Sequence, residues 1–78
     1  MPRRRMTREE VDRITALMLT TATNDQKLAT RIGLRKFELR HLFNGQRLED
    51  DTRINALFTY LEGEKHRQNM DKLRRNGL

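Results

Sequence analysis

Apolar residues along this chain recur at helical spacing, and no stretch alternates with the two-residue period of a strand. Val11, Ile14, Leu17 and Met18 form one amphipathic stripe, predicting a helix over residues 7–21. Thr7 and Glu10 suit a capping box at its start, the hydroxyl on one amide and the carboxylate reaching back to another. The β-branched cluster Thr20, Thr21 and Thr23 ends it, together with the caps that follow. Thr23 and Gln26 offer a second capping box, with Asn24 a competing N-cap, before a short helix carrying Leu28, Ala29 and Ile32. Gly33 stands just past that stripe, where a left-handed residue closes a helix at least steric cost. Leu34 follows, then a third helix over residues 35–43 and a turn at Asn44-Gly45, both residues tolerant of positive φ.

The acidic run Glu49, Asp50, Asp51 precedes another stripe, Ile54, Leu57, Phe58 and Leu61, and suits the positive end of a helix dipole. Gly63 is expected to break or bend the chain before a thinly apolar last segment with Met70 and Leu73. Residues 1–6 have no periodicity. The pattern predicts an all-α, compact domain of four to five helices. A flexible basic arm spans residues 1–6, the body residues 7–62, and a helical extension suited to dimerisation residues 63–78.

Composition narrows this. With 78 residues, 35% apolar and no cysteine, the chain has neither disulfides nor a thiolate metal site to supplement its core. Such a core rarely supplies more than about 3–5 kcal/mol. Ile54, Leu57, Phe58, Tyr60, Leu61, Met70 and Leu73 exceed what one short chain easily buries, so a homodimer is expected. No apolar run reaches the roughly 18 residues of a membrane span, and the basic start lacks the apolar stretch of a secretion signal. The expectation is a cytoplasmic protein with no membrane partner.

Net charge is +6, with a pI near 10.8, the footprint of a polyanion binder. Its distribution sharpens the point: residues 25–47 carry +4, whereas residues 48–61 carry −2. Catalysis is not expected. Cysteine and serine nucleophiles are absent, His41 and His66 lie far apart, and the acidic run lacks the glycine and distant acid of a calcium loop. No cofactor, metal or small-molecule substrate is implied.

Leu28, Ala29, Ile32, Gly33, Leu34, Leu39 and Leu42 together satisfy one geometric template, the helix-turn-helix. Two short helices cross steeply, so the residue at the crossing must be small, and Ala29 fills that place. Gly33 supplies the tight corner, Leu34 plugs it, and the remaining leucines and Ile32 face the core. With Asn44-Gly45, Arg47 and the stripe Ile54, Leu57, Leu61, the segment from Thr23 to Leu61 resembles the Cro and lambda-repressor type of helix-turn-helix protein. Two positions depart from that pattern. Asp25 stands where the family has Gln and would repel a phosphate, and Arg35 stands where Ser or Thr opens the recognition helix.

The resemblance implies a sequence-specific regulator of transcription, bacterial or phage-encoded, that binds double-stranded DNA as a homodimer with half-sites about 34 Å apart. At about 100° per residue, Lys36, Phe37, Arg40, His41 and Asn44 lie opposite Leu39, Leu42 and Phe43, on the side that enters the major groove in this fold. Arg40, then Lys36, are the leading readers of guanine; Asn44 pairs with adenine or serves the turn. Phe37 either meets a thymine methyl or, on a slightly rotated helix, tucks against Leu34 or a neighbouring loop, and His41 touches phosphate or stays solvated. Lys27, Arg31, Arg35 and Arg47 are candidate phosphate contacts. Arg3, Arg4 and Arg5 resemble arms that enter a minor groove, or form a tail with general affinity for polyanions. The alternative function is a module of the same fold that binds another protein, favoured by Phe37 and the acidic run 49–51.

Overall fold

The computed structural model describes residues 2–75 of the chain and is mostly helical. Its elements are β1 (Arg3–Arg4), α1 (Arg8–Thr21), α2 (Asp25–Ile32), α3 (Lys36–Phe43), β2 (Glu49–Asp50) and α4 (Asp51–Arg75). Residues 76–78 of the expected extension lie outside the described residues.

Local chemistry accounts for each helix start. Thr7 accepts from the Glu10 amide at 3.1 Å while Glu10 accepts from the Thr7 amide at 2.9 Å, the reciprocal box read from the sequence. At α2 the cap is Asn24, whose side chain accepts from the Lys27 amide at 2.8 Å. Thr23 is instead buried, its hydroxyl 2.8 Å from that of Thr21. At α3 the cap position is Arg35, which has no acceptor to offer; Glu38 alone reaches back, accepting from the Arg35 amide at 2.9 Å.

Three helix ends share one closure. Each has a left-handed residue, Ala22 (φ 54°), Gly33 (φ 83°) or Gly45 (φ 76°), and a following amide that bonds five residues back. Thr23 donates to the Met18 carbonyl at 2.9 Å, Leu34 to Ala29 at 2.9 Å, and Gln46 to His41 at 2.8 Å. Asn44 keeps a right-handed backbone (φ −86°), so Gly45 alone makes the turn after α3.

The core collects one side of every helix. Ile14, Leu28, Ala29, Leu39, Leu42, Ile54, Leu57 and Leu61 are fully enclosed, with Leu34 at the corner between α2 and α3. Burying each such aliphatic side chain stabilises the fold by about 1.5–3 kcal/mol before chain entropy is counted. Ile54, Leu57 and Leu61 are therefore satisfied within one chain. Phe58 and Tyr60 are half covered under Arg13 and Arg31, whose guanidinium carbons lie 4.9 and 5.4 Å from the ring centres. Of the residues that suggested a second copy, Met70 and Leu73 remain open, at 45% and 49%.

Two sequence expectations are corrected. Residues 1–6 are not a flexible arm over their described length, because Met6 is part of the core at 6% exposed and β1 pairs antiparallel with β2, Arg3 opposite Asp50 and Arg4 opposite Glu49. Nor does Gly63 divide the chain, since α4 runs through it and the boundary placed between residues 62 and 63 falls inside one helix. An isolated helical glycine costs only about 1 kcal/mol. Here Leu57 and Leu61 hold the helix before it, and Gln68 after it, whose amide donates to the Thr21 carbonyl at 2.9 Å. With Arg13 against Phe58 and Thr21 against Gln68, α1 and α4 lie side by side in the same direction. No described helix is long and apolar enough to cross a membrane.

Met6→Ala is expected to cost roughly 2–4 kcal/mol in urea denaturation, the range for truncating a core side chain. A dangling arm would leave the midpoint unchanged.

Candidate functional site

The corner at Gly33 and Leu34 sets α3 so that Leu39 and Leu42 point inward. Its other side then faces solvent, and Lys36, Phe37, Arg40, His41 and Asn44 are all exposed. Phe37, Arg40, His41 and Asn44 line one shallow depression with Asp25, Phe43 and Gln46. Phe37 does not tuck against Leu34. It is 53% exposed and meets His41 edge-on, ring centres 5.9 Å apart and planes at 74°. Lys36 borders the adjoining depression between α1 and α2, with Met18, Leu19, Gln26 and Phe43. Asp25, in the first turn of α2, borders both, and its Oδ2 lies 3.7 Å from Nε of Arg40.

The expected phosphate contacts divide. Lys27, Arg31 and Arg35 are exposed, the first two on the side of α2 beside Tyr60 of α4 and the third at the start of α3. Arg47 turns inward instead. Its Nη1 lies 3.0 Å from Glu38 and its Nη2 3.5 Å from Glu49, and its Nε is buried without a protein partner. A guanidinium so held is not offered to a ligand.

The three N-terminal arginines divide as well. Arg4 donates two parallel bonds to Glu10, at 2.7 and 2.9 Å, and a further bond from Nε to Asp51. Arg3 lies 3.4 Å from Glu49. Arg4 is thereby held on the protein, whereas the Arg3 side chain stays 56% exposed on a backbone fixed by β1, against the expectation of a flexible minor-groove arm. Arg5 is exposed beside the turn after α3, its Cδ 4.0 Å from where a side chain at Gly45 would begin.

Glu49 gathers most of this network. It is 2% exposed and receives Arg53 at 3.0 Å, Arg3 at 3.4 Å and Arg47 at 3.5 Å. Burial pushes its carboxyl up, yet the hydrogen bonds from Arg53, Asp50 and Arg3 outweigh that and hold it below the ordinary value. Glu38 is lowered chiefly by the Arg35 amide, with Arg47 adding to it. Asp50 caps α4, its Oδ1 accepting from the Arg53 amide at 2.8 Å. The acidic run is thus occupied inside the fold. Sequence reasoning missed Glu49 as a hub and Asp25 as part of the α3 face. The available signal was charge: the arginine run 3–5 and the acidic run 49–51 are opposite and of similar length.

No family model, curated protein or solved structure matches the chain.

The Arg4 bonds lower the Glu10 carboxyl from an ordinary 4.5 to about 2. A group depressed on folding stabilises the fold above its unfolded value and loses that contribution as pH falls. The urea midpoint is therefore expected to drop between about pH 4.5 and 2, and Glu10→Gln to flatten that limb.

Proposed function

We propose that this protein is a sequence-specific, double-stranded DNA-binding regulator of the helix-turn-helix type, with α3 entering the major groove. One observation carries the reading: Lys36, Phe37, Arg40, His41 and Asn44 stand together on the outer side of a short helix whose inner side is locked into the core. A helix held so firmly by its back can present side chains to base edges without reorganising. Arg40 and Lys36 are matched to the guanine acceptors O6 and N7, and exposed Phe37 to a thymine methyl. Lys27, Arg31, Arg35 and Arg5 supply phosphate contacts that fix register without reading sequence. Arg4 and Arg47 are left out of the proposed interface, because acids of the same chain hold them.

A second copy is proposed to dock along α4. Opposite its core side, α4 carries Ala56, Thr59, Gly63, His66, Met70 and Leu73 at alternating spacings of three and four, with no charged residue among them. In a chain that is 36% charged, an exposed side without charge is unusual for a helix facing only water. Two parallel α4 helices would place two α3 helices on one side of the assembly, as a two-fold operator requires.

The protein-binding alternative draws on the open Phe37 and on Leu19, 80% exposed. Site selection from random duplex DNA separates the two, since a protein-binding module returns no consensus. Arg40→Ala is expected to lose about 1–3 kcal/mol of affinity for a selected site and to relax base preference at one position, read by titration against single-base variants. Unchanged affinity and preference would falsify the groove assignment. Met70→Lys is expected to shift sedimentation toward monomer with the thermal melt of the monomer retained; an unaltered dimer would remove α4 as the seam.

A further inference from the structure

We infer that Asp25 is a specificity-determining residue of the α3 face: it holds Arg40 where it can read guanine and withholds it from phosphate. The inference rests on the DNA-binding reading above. Among the described residues lining the depression, Asp25 is the only acid, in a segment otherwise dominated by cations. It belongs to the first turn of α2, where the helix dipole favours a carboxylate, so its position is set independently of Arg40. Its side chain is 32% exposed and that of Arg40 65%. Ion pairs this open add little to folding, so stability is not a sufficient reason for the acid.

Geometry supplies a better one. Asp25 comes nearest Arg40 at Nε, at 3.7 Å and beyond hydrogen-bond distance, so the two terminal nitrogens are left to a ligand as a planar fork. Two donors so placed match guanine, the one base that presents two acceptors side by side in the major groove. Adenine offers a donor beside its acceptor, thymine a methyl beside its acceptor, and cytosine a donor. A phosphate also satisfies a guanidinium fork, and an untethered Arg40 on a long flexible stem would swing to the nearest one. Asp25 opposes that swing twice, by attracting Arg40 and by repelling the phosphate backbone. The same carboxylate that weakens binding to duplex in general therefore widens the gap between guanine and the other bases, which is discrimination through an unfavourable element.

The test uses the full chain and four duplexes: a site selected from random DNA and three variants of the base pair that Arg40→Ala makes indifferent. Wild type, Asp25→Asn, Arg40→Ala and the double variant are titrated at two salt concentrations, with thermal melts confirming that each is folded. Asp25→Asn removes the charge and keeps the shape. It is expected to tighten binding to the three variant duplexes about five- to tenfold while changing the selected site less than about twofold, so that preference falls. The salt slope should steepen by about one as Arg40 gains a phosphate. In the Arg40→Ala background, Asp25→Asn should leave base preference where Arg40→Ala put it. A uniform gain on all four duplexes, or a preference change that persists without Arg40, overturns the inference while leaving DNA binding intact. Failure of the wild type to bind any duplex overturns the DNA-binding reading itself, and the role of Asp25 with it.

Discussion

The carboxylate of Glu49 is almost wholly removed from water, and a charge in that position is tolerated only when the protein replaces its hydration with hydrogen bonds. Arg3, Arg47 and Arg53 do so from three parts of the chain. A buried ion cluster adds little net stability beside a well-packed apolar equivalent, but loss of one partner strands the rest. Its contribution here is geometric. Through Glu49 the first strand is joined to the start of α4, and through Arg47 and Glu38 the same cluster reaches the first turn of α3. The first strand, the start of α4 and the first turn of α3 are held by one set of charges.

That arrangement decides which positive charges remain available. Arg4, Arg47 and Arg53 are engaged by Glu10, Asp51, Glu38 and Glu49 of the same chain, and Arg3 leans on Glu49 with its side chain half exposed. What stays solvent-facing on α2 and α3 is Lys27, Arg31, Arg35, Lys36 and Arg40. Of these, Lys36 and Arg40 belong to α3 itself, and Lys27 and Arg31 lie beside Tyr60 of α4. On the proposed DNA-binding reading, fewer exposed cations would mean fewer phosphate contacts to dilute the contribution of base edges. Asp25 is an acid set among the side chains of the depression beside α3.

Much of this was legible residue by residue. The stripe through Ile14, the pair Leu28 and Ala29, the left-handed Gly33, and Leu39 with Leu42 each follow from local spacing, and the structure buries or bends each where the spacing required. The outward set on α3 followed from the same period. Three things did not. Met6 has no periodic neighbours, so nothing marked it as core. Thr23 and Asn24 both suit a helix cap, and Asn24 holds it because the Thr23 hydroxyl is engaged by Thr21. Gly63 carries a break signal that packing on either side overrides.

From its amino acids alone, the chain determines where helices start, which side of each is apolar, and which residues α3 turns outward, since helical period and capping act over three or four neighbours. Only the tertiary structure decided which of the 17 lysines and arginines are spent inside, because Arg3 meets Glu49 across 46 positions and Arg4 meets Asp51 across 47. Ion pairing depends on distance in space, and no local pattern ranks equal charges. The number of cations was written in the composition; their availability was settled by which acids the fold brought beside them.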